Sequence, residues 1–289
     1  MRFGWIEGHK DEFPVDQMCT VLQVSRSGYY AWQERQGRPP GPRAQRRAEL
    51  VEKIEQVHRE NRQVYGSPRV YQELKAQGEA VCENTVAKLM REQQIRAVTH
   101  RRFKVKTTDS SHTHPVAPNV LERQFDQDLP DRAWAADITY VPTEEGWLYL
   151  AAVIDLCSRK VVGWAMADHL RAELCTDALE MALAGREPTE GLIHHSDRGV
   201  QYACNDYRGM LEENGIQCSM SGRGDCYDNA VVESFFKTLK TELVYQHEYR
   251  TREEAKRSIF EYVEVFYNRK RRHSSLGYLS PCEYEAQLN

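Results

Sequence analysis

The sequence predicts an α/β domain built on a mixed sheet and preceded by small all-helical elements, and three observations predict it. Between residues 134 and 167, three apolar, β-rich segments follow one another with no helix between them. From there to about residue 220, helical and strand patterns alternate, while ahead of residue 96 the apolar spacing is helical. Three successive strands followed by alternation require an antiparallel meander joined to crossover units, because parallel strands need long connections.

The elements follow in order. "PVDQMCTVLQVSRSGYYAW" places Val15, Met18 and Leu22 at helical spacing, breaks at "SRSG" and resumes at Tyr29, Tyr30 and Trp32, predicting a short helix-turn-helix. Two Pro/Gly/Ser/Thr-rich breaks, residues 36–43 and 106–119, read as linkers. Between them, Leu50, Val51, Ile54 and Val57 mark one helix, "SPRVYQELKAQG" a second with Pro68 in its first turn, and "ENTVAKLMREQQI" a third. The basic, β-prone "RAVTHRRFKVK" follows, so the layout is that of a winged helix, with a small solvated bundle as the plain alternative. Beyond residue 130 come strands at "AWAADITYVP", "WLYLAAVIDLCS" and "RKVVGWAMA", a helix at "AELCTDALEMALAG", a strand at "GLIHHS", a helix at "NDYRGMLEENG" and a strand at "IQCSMS". Helices at "NAVVESFFKTLKTEL" and "REEAKRSIFEYVEVFYNRKR" end the domain. The predicted organisation is a helix-turn-helix segment over 1–40, a winged-helix-like DNA-binding domain over 44–106, a linker over 107–126, a catalytic core over 127–246, and a C-terminal helix with a basic tail over 247–289.

The formal charge of −4 conceals an asymmetry: residues 26–106 carry +9 and residues 107–289 carry −11. A basic part followed by an acidic one suggests a nucleic-acid-holding module attached to a carboxylate-rich one. The eight cysteines are scattered with no CxxC pair, so reduced thiols are expected rather than a zinc framework. With no bilayer-length apolar run and no signal-peptide order at the start, no membrane partner and a cytoplasmic location are expected.

Three carboxylates carry the chemistry. Asp137 sits inside an apolar strand, where an aspartate calls for a salt bridge, a backbone-bonded structural role or a metal. Asp197 ends the strand "GLIHHS", with His195 on its face of the strand and Arg198 just after it. Zinc on His195 and Asp197 lacks further His or Cys ligands at suitable spacing. Glu233 shares a polar helix face with Lys237 and Lys240, so an ordinary Glu-Lys pair is one account of it. Oxygen-only ligands suit Mg²⁺, with Mn²⁺ as a substitute, and two such ions serve in-line phosphoryl displacement. Lys237 and Lys240 would then neutralise a DNA phosphate.

With 35 residues between Asp197 and Glu233, and Lys240 seven beyond that, the pattern resembles the DDE core of transposases and retroviral-type integrases. The strings "WAADITYV", "HSDRGVQY", "DNAVVESFFKTLKTE" and "YNRKRRHSSLGYLSP" are similar to the second-frame product of IS3-family insertion sequences. The resemblance implies an RNase H-like fold with a mixed five-stranded sheet. It also implies a DDE polynucleotidyl transferase using two Mg²⁺ ions, with Asp137, Asp197 and Glu233 as catalytic metal ligands. Implied partners are the element's terminal inverted repeats, target DNA, further copies of this chain, and an upstream-frame protein with a helix-turn-helix and leucine zipper. The expected setting is the bacterial cytoplasm, at the nucleoid when DNA-bound.

Basic residues expected at DNA are Lys240, Lys237, His195 and Arg198 around the carboxylates, Arg69, Lys88 and Arg91 on the preceding helices, and Arg101, Arg102 and Lys104 in the wing. Arg271 and Arg272, in the tail "NRKRRH", either grip phosphates or end a helix in solvent. His195 is either a neighbour of the metals or a packing residue. "SGRGDCYDN" reads as a loop that closes on DNA, with Asp228 capping the helix after it. Two other activities fit less well: a DNA-binding regulator with an unused core, and an RNase H-type nuclease acting on RNA-DNA hybrids.

Overall fold

The structure is a computed structural model describing residues 1–37, 39, 41–98, 116–186, 188, 190–222 and 226–288. The chain divides into two compact units, Met1–Gln56 and Val57–Asn289.

In the first unit, α1 (Arg2–Gly8), α2 (Val15–Val21) and α3 (Arg26–Gly37) bury Ile6, Met18, Cys19 and Tyr29 together. The Tyr29 hydroxyl donates to Glu7 Oε2 at 2.6 Å, and this bond pushes the phenol up to about 12. The helix-turn-helix is present as α2 and α3; α1 was not predicted, because seven residues are too few to display a period. The next helix, α4 (Pro42–Glu60), runs across the boundary between the units.

The second unit continues with α5 (Ser67–Ala76), which has Pro68 in its first turn, and α6 (Glu83–Glu92). Of the predicted wing, residues 96–98 form no regular element, and 99–106 lie outside the described residues. The sheet follows, with β1 (Ala133–Thr143), β2 (Gly146–Asp155) and β3 (Val161–Ala167) forming the predicted antiparallel meander. The chain then runs through α7 (Glu173–Gly185), β4 (Ile193–Ser196), α8 (Val200–Ala203), α9 (Asn205–Glu213) and β5 (Gln217–Met220). Strand order is β3-β2-β1-β4-β5, with β4 parallel to both β1 and β5, so the five-stranded sheet is mixed as predicted.

α7 and α9 cover one face of this sheet through Leu179, Ala182, Tyr207 and Leu211, packed with Trp134, Val153 and Met220. Gly163 on β3 permits the close approach of α7: a Cβ there would stand 2.1 Å from the Ala178 carbonyl oxygen. α10 (Ala230–Glu242) follows, then α11 (Arg252–Phe260), which continues as a π-helix over Glu261–Tyr267, and α12 (Pro281–Leu288). No described helix is long and apolar enough to cross a membrane.

Candidate active site

β1 and β4 run parallel in register through Ala136 and Ser196, so the next positions, Asp137 still within β1 and Asp197 just past the end of β4, stand side by side. Asp137 is half-buried, and its Oδ1 accepts from the Ile138 amide at 2.7 Å. Asp197 Oδ1 accepts from the Gly199 amide at 2.8 Å. A Cβ at Gly199 would lie 2.9 Å from that oxygen, so only glycine admits this turn undisturbed. The third carboxylate arrives on α10, whose start is fastened to β1 by Asn229 Nδ2 donating to the Ala136 carbonyl at 3.0 Å. That places Glu233, in the helix's first turn, in the field of Asp137.

Burial first, then the Asp197 and Glu233 charges, raises the Asp137 carboxyl well above its ordinary range, against the opposing pull of the Ile138 amide and Lys240. Glu233 is exposed and also raised, by partial desolvation, and no ion pair with Lys237 offsets this. The Lys240 ammonium lies 4.7 Å from the centre of the Tyr140 ring; burial lowers its pKa while Asp137 pulls it back up. Mutual repulsion among carboxylates, with one lysine at their edge, is an arrangement that a cation would relieve. The donors are all oxygens, which fits a hard divalent ion, although among the described residues no three His, Cys, Asp or Glu side chains are grouped tightly enough to hold one as they stand.

His195 belongs to the core. It is fully buried, with Nδ1 2.9 Å from Ser219 Oγ and Nε2 3.2 Å from Ser221 Oγ. Burial pushes the imidazole down to about 4. With both ring nitrogens engaged, it is available neither to zinc nor to a phosphate, which corrects its assignment to DNA and decides for packing. His194 faces the other way, its Nε2 3.0 Å from the Tyr207 hydroxyl.

Asp228 does not cap α10. Its carboxylate accepts from Asn119 Nδ2, the Gly222 amide and Arg123 Nε at 3.0, 2.7 and 2.7 Å, tying the loop to residues 119–123. Residues 223–225 of the loop expected to close on DNA lie outside the described residues.

Of the other basic residues, Lys88 and Arg91 are exposed on α6, Lys237 is exposed on α10, and Arg198 is half-buried with Nε donating to the Ser221 carbonyl at 2.6 Å. Arg101, Arg102 and Lys104 lie outside the described residues. Arg271 is a further correction: it is only 4% exposed and grips Glu242 through Nε and Nη2 at 2.8 and 2.6 Å, a structural ion pair rather than a phosphate contact. Arg272 pairs with Glu73 and donates to the Tyr278 carbonyl at 3.0 Å, so it too is engaged within the protein. Arg69 stands 3.7 Å from Glu242.

Sequence reasoning passed over Asn229 and Gly199, which position two of the carboxylates. It also passed over Asp155, which is fully buried and accepts from the amides of Asp131 and Ser158. Ser158, three residues on, was the available signal for a backbone-bonded turn aspartate.

The sequence matches family models described as "Integrase core domain" over residues 127–226 and 233–288, and "HTH-like domain" over residues 45–103. It is 44% identical over 285 residues to "Transposase InsF for insertion sequence IS3A" of Escherichia coli (strain K12), covering 99% of this chain and 98% of that protein. The "Insertion element IS600 uncharacterized 31 kDa protein" of Shigella sonnei is 45% identical over 272 residues, covering 94% and 98%. Among solved structures, the catalytic core domain of BIV integrase aligns at 18% identity and a TM-score of 0.42, covering 55% of this chain and 95% of that one. The sheet is thus that of an RNase H-like integrase core behind a helical HTH-like region. Near-full-length identity to InsF decides the assignment, and the chain belongs to the IS3 family of insertion-sequence transposases.

Proposed function

We propose that this transposase cuts the ends of its element and joins them to target DNA through Asp137, Asp197 and Glu233. The observation that carries the reading is the convergence of the three charges, expressed in the raised Asp137 carboxyl with Lys240 beside it. Asp137 would hold two Mg²⁺ ions and Asp197 and Glu233 one each, with Mn²⁺ able to substitute; bound there, the ions would activate the attacking oxygen and stabilise the leaving one. The chain's own residues orient the reaction. The Ile138 and Gly199 amides fix one oxygen of each aspartate, Asn229 holds α10 against β1, and Lys240 with Lys237 offsets phosphate charge. Water attacks the phosphodiester at the element's end, leaving a 5′-phosphate on the flanking DNA and freeing a 3′-hydroxyl, which then attacks a target phosphodiester and displaces the target strand's 3′-oxygen.

DNA is held in this reading by the HTH-like helices, with Lys88 and Arg91 on the exposed side of α6 and the wing residues Arg101, Arg102 and Lys104 on phosphates. The domain limits read from the sequence belong to the same proposal. So do an assembly of several copies pairing two element ends, a contribution from the upstream-frame protein, and action at the bacterial nucleoid. The test is a strand-joining assay with labelled terminal-repeat duplex and Mg²⁺. Asp137→Asn, Asp197→Asn and Glu233→Gln each keep DNA binding and lose joining, since a carboxamide brings no charge to a divalent ion. A variant that still joins removes its residue from the mechanism.

A further inference from the structure

Along the flank of α10 turned from Glu233 lies a cavity of about 490 Å³ that the proposed chemistry does not use. Residues along a helix turn by roughly 100° each, so Thr238, which lines it, lies about 140° around the helix from Glu233 and about 160° from Lys240, while Ser234 borders it on the Lys237 side. Its remaining wall brings together Arg69, Arg123, Arg159 and Arg271 with the ring of Phe125.

The charges there do not cancel. Arg271 is satisfied by Glu242, and Arg123 by Asp228. Arg69 reaches Glu242 only at 3.7 Å, and that carboxylate already accepts from Arg271 and the Tyr262 hydroxyl. Arg159 meets Asp126 at 3.3 Å, but the Asp126 side chain is fully exposed, and such pairs hold weakly. Arg159 Nη1 is buried with no hydrogen-bond partner among the described residues. A buried guanidinium nitrogen left without an acceptor is costly, and the Arg159 side chain that carries it is part of the cavity wall. After burial itself, the charges of Arg271, Arg69 and Arg159 push the His273 imidazole on the same wall down to about 2.

We infer that this cavity is a binding site for one nucleotide of a single DNA strand, its phosphate on Arg159 and Arg69 and its base against Phe125. The volume falls in the range of roughly 300–1,000 Å³ that takes a ligand of small-molecule size, the scale of one nucleotide. Guanidinium groups beside an aromatic face are the pairing by which proteins hold unpaired strands. The inference rests on the reading that the chain acts on DNA, and it gives the strand displaced at a cut end a place away from the carboxylates.

The test measures anisotropy of labelled single-stranded and duplex oligodeoxynucleotides on the full chain, with chelator present so that joining cannot occur. Arg159→Gln and the cavity-filling Thr238→Trp, both checked for an unchanged circular-dichroism melt, each weaken single-strand binding about tenfold and leave duplex binding within about twofold. A deoxynucleoside monophosphate displaces the single strand from the wild-type chain at concentrations where inorganic phosphate does not. Unchanged single-strand affinity in both variants, equal loss on duplex, displacement by phosphate alone, or no single-strand binding by the wild type overturns the inference. Glu233→Gln separates the two readings: it keeps single-strand binding while losing joining. Joining that survives in Glu233→Gln would overturn the catalytic assignment and leave the cavity standing.

Discussion

Asp137 carries the cost of assembling the site. Its folded carboxyl stands above the unfolded value of 3.8, because burial and the neighbouring Asp197 and Glu233 disfavour its ionised form. The stabilising contribution of the protonated group is complete below 3.8 and is lost as the pH rises through the raised folded value, so the group costs the fold stability at neutral pH relative to acid. Asp137→Asn removes that penalty and keeps an oxygen for the Ile138 amide. Without divalent ions, its urea midpoint at pH 7 lies above that of the wild type, even though joining is lost; a lower midpoint counts against the account. Gly199 gives the converse. An alanine Cβ would press on Asp197 Oδ1 at 2.9 Å, and the wild-type φ of −62° suits alanine, so the backbone is not strained. Gly199→Ala slows joining about tenfold or more while shifting the melting temperature little, because small displacements of a reacting group are costly to rate. Equal losses of both would mean that the turn, not the carboxylate, is what glycine protects.

Between elements, the buried Glu242–Arg271 pair joins the end of α10 to the tail after the π-helix, with the Tyr262 hydroxyl donating to Glu242 at 2.7 Å. Removing one partner strands the other charge in the interior. Arg271→Met therefore costs about 3–5 kcal/mol in chemical denaturation, while Glu242→Leu with Arg271→Met recovers most of it. Additive losses would show that the two side chains act independently. This pair also marks what the sequence could not disclose. Strands and long helices were legible because period and β-branching are local, as in "WLYLAAVID" and "NAVVESFFKTLK". The three candidate carboxylates stood out through one apolar strand, one strand end and the spacing that resembles the DDE pattern. α8, at four residues, was too short to show a period, and α12 was missed although "SPCE" carries the reciprocal Ser280 and Glu283 bonds of a capping box. Whether "NRKRRH" meets DNA or protein depends on partners far away in sequence, and no local pattern encodes them.

Across the second unit those distant partners are the rule. Arg62 meets Glu261 at 2.6 Å, Tyr65 accepts from the Arg272 amide at 2.8 Å, and Glu73 pairs with Arg272, so the helices ahead of the sheet are held by the tail behind it. The basic segment of the sequence spends part of its charge on this internal clamp, which its net charge alone did not reveal. Two histidines of this unit, the buried His194 and the half-buried His273, give its stability a definite pH dependence. Burial pushes His194 down to about 3, and burial with Arg271 pushes His273 down to about 2, from an ordinary 6.5. Both stay neutral in the folded chain while the unfolded chain takes up protons near 6.5. Their contribution to stability is therefore present above 6.5 and is lost as the pH falls from there towards about 3, at up to about 1.4 kcal/mol per pH unit for each group. Urea denaturation at steps between pH 7 and 4, followed by tryptophan fluorescence, checks this by difference. His194→Gln loses stability at pH 7 through the altered contact with Tyr207, and the gap to the wild type narrows steadily with acidification because the variant has no imidazole left to protonate on unfolding. A gap that stays constant across that range would mean that His194 is already charged in the folded protein or is not released to solvent when this unit unfolds.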